Sequence, residues 1–272
     1  MKRCLLCLAL MATAAAHAAP LRREVLDDMR DARQWKAIAS EQVRAALRLD
    51  RDGSLCLDYD FAGVSGYAVM RRELPVQWPA NFEIAARVKG RGATNDFQFK
   101  LVDASGDNVW WMNRPDFVLP TKLVPMKIRR RHFDFAWGPT VDRTLKSTQF
   151  VEFVIAAGRE GGKGSLCVAG LNLHEREPAP AVWPDPRVEA ASHGVDIDYR
   201  LAREFNGLAL QWPVGNSPID YDVLASDDGL RWQLLRQVRG SDGGFDALWL
   251  PEQEARHLRI RDARVCGHRD GW

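Results

Sequence analysis

Ten tryptophans stand among 272 residues, and three in the middle of the chain, Trp110, Trp111 and Trp137, either pack a core or present their rings to a ligand. Trp110 and Trp111 are consecutive, so on a strand their side chains point to opposite faces. Trp137 follows Phe133 and Phe135 at period two, which puts all three on one face of a strand. Flat aromatic rings pack against the C–H faces of sugars, while sugar hydroxyls seek amide, carboxylate and guanidinium partners. Asn113, Arg114, Arg129 and Arg131 offer such partners nearby in sequence. The candidate ligand-binding residues are therefore Trp110, Trp111, Asn113, Arg114, Arg129, Arg131 and Trp137. Trp212, Trp232 and Trp249 fall in later apolar runs and read as core.

No catalytic set emerges beside them. The sequence has no Gly-x-Ser-x-Gly, no His-Glu-x-x-His and no phosphate-cradling glycine loop ahead of a helix. Gly161-Gly162-Lys163-Gly164 reads as a hairpin turn. Asp58/Asp60, Asp196/Asp198 and Asp220/Asp222 are carboxylate pairs at i, i+2, about 7 Å apart on a strand. That separation suits two-carboxylate hydrolysis, but any exposed acidic strand face produces it. These pairs are read as solvated faces, no residue is assigned a catalytic role, and no enzyme activity is expected.

The elements that must position the aromatic residues are strands. Leu55–Phe61, Phe82–Val88, Asp96–Val102, Lys127–Arg129 and Phe150–Ile155 carry apolar residues at period two, the mark of a strand with one buried face. Only Asp27–Leu47 looks partly helical. The segment from Glu177 to Pro186 holds four prolines, which neither a helix nor a central strand accepts. It predicts a linker at 178–186 between a first module, 19–177, and a second, 187–272. Residues 19–177 hold 25 basic and 21 acidic residues, and residues 178–272 hold 11 and 15. The predicted fold class is all-β, two β-sandwich modules in tandem, the second of them short.

Lys2 and Arg3, an apolar run from Leu5 to Ala16 and Ala16-His17-Ala18 read as a signal peptide over 1–18, cut after Ala18. That run is shorter than the roughly 20 residues a membrane span requires. The mature protein is expected to be secreted or periplasmic, with no membrane span. A net charge of +2 argues against a dedicated nucleic-acid binder. Cys56, Cys167 and Cys266 remain after cleavage. Cys56 and Cys167 are either a disulfide between neighbouring strands or two buried thiols.

The run Asp96–Trp110 resembles a segment of the galactose-binding-like jelly rolls, which include bacterial carbohydrate-binding modules. Met126–Arg131, His132–Pro139, Phe150–Ile155 and Gly164–Leu171 continue that resemblance over residues 25–175. It implies binding of a polysaccharide or other glycan, and it implies a structural calcium ion near the first strand, for which Asp27 and Asp28 are the candidate ligands. Arg203–Trp212, Ile219–Trp232 and Ala255–Ile260 resemble a discoidin, or coagulation factor type C, domain. Residues 187–198 are short for that family's opening segment, and the polar end Cys266–Trp272 lacks its closing strand. The resemblances imply non-catalytic carbohydrate binding by an exported protein of the kind that forms the accessory front of a larger glycan-acting protein with a downstream catalytic domain. The alternative is a structural module that docks to a partner protein.

Overall fold

The computed structural model describes residues 21–213 and 217–265, with side chains up to 262. The expected signal peptide, Cys266 and the segment Cys266–Trp272 lie outside the described residues. The chain divides into two compact units between Ala179 and Pro180. Nearly all regular structure is strand, and every pairing among the described residues is antiparallel.

The first unit contains β1 (Arg23–Asp27), β2 (Lys36–Ala39), β3 (Arg44–Leu49), β4 (Leu55–Asp60), β5 (Tyr67–Gln77) and β6 (Phe82–Arg91). It continues with β7 (Asn95–Val102), β8 (Val109–Phe117), β9 (Val124–Arg129), β10 (Asp134–Trp137), β11 (Ser147–Ala156) and β12 (Lys163–Glu175). One sheet runs β3-β4-β12-β6-β9, with β1 also on β12, and the other runs β10-β8-β7-β11-β5-β2. A single apolar core lies between them. Leu55, Leu57, Ile84 and Val168 enter it from the first sheet, and Phe97, Phe99, Leu101, Val151 and Phe153 from the second. Each fully buried phenylalanine contributes about 1.5–3 kcal/mol relative to exposure. This unit is a β-sandwich.

The segment expected to be partly helical is strand apart from one short 3-10 turn, Ala32–Gln34. Ile38, Val43 and Leu47 recur at loose spacing, but β2 and β3 pair with β5 and β4, and tertiary pairing overrides the weak local pattern. Gly161–Gly164 is not a hairpin either. It carries the chain from β11 in one sheet to β12 in the other, with Gly161 and Gly162 at positive φ. Cys56 and Cys167 stand directly opposite each other on β4 and β12 and form a disulfide.

The second unit contains β13 (Arg187–Ala191), β14 (Gly194–Gln211), β15 (Pro218–Ser226), β16 (Gln233–Val238) and β17 (Phe245–Val265). They form one five-stranded sheet in the order β13-β14-β17-β15-β16. Its own core gathers Trp212, Tyr221, Val223, Leu250, Leu258 and Ile260. Asp227-Asp228-Gly229 makes the tight turn from β15 to β16, where Asp228 Oδ1 accepts the amides of Leu230 and Arg231. Trp249 is not core: it is 78% exposed, because Leu248 and Leu250 take the inward positions of that stretch of β17. Trp232 is half-buried, with the Arg259 guanidinium 4.0 Å above its ring.

Candidate functional site

Period two decides which residues of β7, β8 and β11 face away from the core. Phe97, Phe99 and Leu101 point inward, so Gln98 and Lys100 point outward. Val151, Phe153 and Ile155 point inward, so Phe150, Glu152 and Val154 point outward. On β8, Trp110 and Met112 join the core, leaving Trp111 and Asn113 on the outer face. Cross-strand register then aligns one row across all six strands: Lys36, Arg71, Glu152, Lys100, Trp111 and Asp134.

Trp137 reaches this face through an irregularity. Phe135 pairs with Trp110 and packs inward, but the register shifts between Phe135 and Trp137, so Trp137 pairs with outward-facing Val109. A bulge of this kind redirects the side chain that follows it. The expectation that Phe133, Phe135 and Trp137 share one face is thus corrected: Phe133 and Phe135 are core, and Trp137 is 47% exposed. Gly138 follows at φ +138°, and a Cβ there would fall 2.3 Å from Asn108 Oδ1, so the turn beyond Trp137 requires glycine. Asn108 Oδ1 accepts the amide of Thr140 and fixes the same turn.

The two outward indoles meet edge to face, ring centroids 5.5 Å apart and planes at 81°. Together they form an angled aromatic corner. The Lys100 ammonium lies 5.0 Å from the Trp137 centroid and 5.9 Å from that of Trp111. Next along the row is Glu152, buried at 8% exposure despite lying on the outer face. Arg71 Nη1 approaches Glu152 Oε1 at 3.1 Å, while the Arg71 guanidinium stacks 3.9 Å from the Phe150 centroid. Burial pushes the Glu152 carboxyl above its ordinary pKa, opposed by the charges of Arg71 and Lys100. Burial likewise pulls the Lys100 ammonium down, opposed by Glu152. The surface thus offers ring faces, donors and an acceptor within one row. Its polar groups are held by packing, so little side-chain order remains to be imposed by a ligand.

Of the residues singled out from sequence, Trp111, Asn113 and Trp137 lie on this face. Trp110 does not: it is 5% exposed, packs against Phe135, and donates its indole N–H to the Arg143 carbonyl at 2.7 Å. Arg114 lies opposite inward-facing Phe97, at the core-side parity of β8. Arg129 belongs to β9 in the other sheet, where it is 7% exposed and bonds Glu83 at 3.1 Å. Arg131 sits in the short turn Arg130–His132 after β9. Proximity in sequence to Phe133 and Trp137 did not carry Arg129 and Arg131 to the aromatic face, because the chain changes sheets between β9 and β10. Sequence reasoning missed Gln98, Lys100, Glu152, Arg71 and Phe150. Glutamate within Phe150-Val151-Glu152-Phe153-Val154 was the available signal, a lone acid in an otherwise apolar strand.

Asp27 is fully engaged. Its carboxylate accepts the Trp35 indole N–H at 3.0 Å and the Met29 amide at 2.5 Å, and it pairs with Arg72. The positive charge beside it among the described residues is this guanidinium. Asp28 is exposed and accepts the amide of Arg30. Among the described residues, one cluster of three metal-ligating types occurs, Asp50 with Cys56 and Cys167, and both its sulfurs are in the disulfide. Of the carboxylates paired at i, i+2, four are bound to cations: Asp58 to Arg48, Asp196 to Arg259, Asp198 to Arg256, and Asp222 to Arg239 and Arg261.

No protein-family model matches the chain, and no curated protein matches it. Among solved structures, a family 11 carbohydrate-binding module from Clostridium thermocellum, in complex with a β-1,3-1,4-mixed-linked tetrasaccharide, is similar at 17% identity and TM-score 0.48. The match covers 60% of this chain and 100% of that one. The family 11 module of a cellulosomal cellulase from the same organism is similar at 16% identity and TM-score 0.47, covering 59% of this chain and 99% of that one. An arabinose-bound α-L-arabinofuranosidase is similar at 13% identity and TM-score 0.37, over 57% of this chain and 26% of that one. These scores are low, and the functional reading rests on this chain's own residues.

Proposed function

We infer that the first unit binds a polysaccharide, without cleaving it, on the outer face of the sheet β10-β8-β7-β11-β5-β2. The observation that carries this reading is the corner of Trp111 and Trp137 beside Lys100, in one row with Glu152 and Arg71. A sugar ring stacked on either indole meets the Lys100 ammonium, and a chain continuing along the row passes Glu152 and then Arg71, with the Gln98 and Asn113 amides in the neighbouring row. The non-catalytic reading is supported by Glu152, which is flanked by two cations rather than by a second acid. Export, to the periplasm or beyond, is supported by the Cys56–Cys167 disulfide, since such bonds persist in oxidising compartments.

Affinity electrophoresis of the full chain against a panel of neutral polysaccharides, followed by a glycan array, tests the reading. Retardation by at least one polysaccharide, lost in Trp137→Ala, supports it. A chain that no glycan retards overturns it.

A second reading, in which the discoidin-like unit docks to a partner domain, is favoured by Phe245 and Trp249. They are 62% and 78% exposed on the same side of β17. Cross-linking of the parent and of Phe245→Ala with Trp249→Ala tests it: a partner captured only by the parent supports it, and equal capture by both removes it.

A further inference from the structure

The outer face of the other sheet of the sandwich has a different character. Its outward positions follow from the core: Leu55, Leu57, Ile84, Ala86, Leu166 and Leu173 point in, so their neighbours point out. Register then places Arg48, Cys56, Cys167 and Lys89 in one outward row, with Arg91 beside Ser165 and Lys127 beside Ala85 in rows to either side. Exposed cations run the length of this face: Arg23, Arg44, Arg87, Arg91, Lys127 and Lys163. Arg48, Lys89 and Arg129 add three more, each in an ion pair.

Five acids meet these nine cations. Glu83 is bound by Arg129, Asp58 by Arg48, Asp50 by Lys89 and Arg48, Asp52 by Lys89, and Asp60 stands opposite Arg44 and Lys163. Lys127 Nζ comes no nearer Glu83 than 3.8 Å. The aromatic face of the sandwich carries no such excess: Lys36, Arg71 and Lys100 are matched there by Glu73, Glu152, Asp96 and Asp134. The excess of basic over acidic residues in 19–177, 25 against 21, is therefore concentrated on one sheet face.

We propose that this basic face binds an acidic polysaccharide, a carboxylate- or sulfate-bearing chain, at a site separate from the aromatic corner. Cations spaced along a sheet face match the repeating charges of an extended polyanion, and displacement of its condensed counterions drives the association. Between the cations the outward positions hold the small residues Ala46, Ala85 and Ala169. The outward positions in these rows hold no phenylalanine, tyrosine or tryptophan on which a nucleobase could stack, and His174 is their one ring. Val25 is their one exposed large aliphatic, so there is little to insert into a lipid surface. Both points favour a polysaccharide over a nucleic acid or a membrane.

The test uses the full chain with polygalacturonate and heparin, titrated at low and physiological salt. Single-stranded DNA and vesicles containing anionic phospholipid serve as the other arms. The expected result is binding to at least one of the two polysaccharides that weakens steeply with salt. The combined variant Arg87→Glu, Arg91→Glu, Lys127→Glu should lower that affinity about tenfold or more and flatten the salt dependence. If that variant melts early, the single variants Arg87→Gln and Arg91→Gln replace it, each flattening the salt slope by roughly one unit. Binding to neither polysaccharide, tighter binding to DNA or vesicles, or variants indistinguishable from the parent would overturn the proposal. Trp137→Ala should leave polyanion binding unchanged, and the charge variants should leave neutral-glycan binding unchanged, so failure at one face is distinguishable from failure at the other.

Discussion

Lys100 and Glu152 face each other across β7 and β11 on the outer side of the sandwich, and burial works against the charge of both. Folding raises the Glu152 pKa above its unfolded value, so the folded state favours the proton there. That contribution to stability is complete below the ordinary glutamate range and is lost as pH rises through the raised value. Glu152→Gln removes this titration. Thermal melts of parent and variant across the acid-to-neutral range should therefore diverge in the variant's favour as pH rises. A constant difference would show that the carboxyl titrates normally.

The buried Asp27 predicts a large structural penalty. Asp27→Asn keeps the shape but removes the negative charge that balances Arg72, with Trp35 and Met29 sharing the same carboxylate. Breaking such a buried pair costs about 3–5 kcal/mol. Urea unfolding of parent and variant measures it. Because Arg72 already supplies the positive charge, calcium and a chelator should leave the parent's melting temperature unchanged.

The disulfide closes a loop with a sequence separation of 111. Cross-links over loops of this size stabilise by about 2–5 kcal/mol. Reduction, or Cys56→Ser with Cys167→Ser, should lower the urea midpoint by a matching amount. A thiol assay on the unfolded, unreduced chain should detect neither Cys56 nor Cys167.

Trp110 and Trp111 should behave as opposites. Trp110→Ala empties a core position and should cost about 3–5 kcal/mol. Trp111→Ala should weaken glycan binding while shifting the melting temperature little. Paired melting and binding measurements on the two variants check the assignment of faces.

Much of this arrangement was legible in the sequence, and the rest was hidden for identifiable reasons. Alternation in Asp96–Val102 marks Gln98 and Lys100 as outward once Phe97 and Phe99 are taken as core, and the opposite orientations of Trp110 and Trp111 follow from adjacency alone. Which of the two is buried depends on the neighbouring strand, and so does the bulge that turns Trp137 outward. Glu152 meets Lys100 only because β11 lies between β7 and β5, a long-range order that no local pattern encodes. Arg129 was misplaced because nearness along the chain says nothing about which sheet a strand joins. Trp249 was misread because local hydrophobicity does not reveal which side of a long strand the core occupies.

The aromatic corner is the central claim, and calorimetric titration of a polysaccharide that retards the full chain tests it most directly. With Trp137→Ala, the account predicts an affinity loss of about tenfold or more, corresponding to about 1.4 kcal/mol or greater, with an unchanged melting temperature. Binding equal to the parent's in a folded Trp137→Ala protein would contradict it.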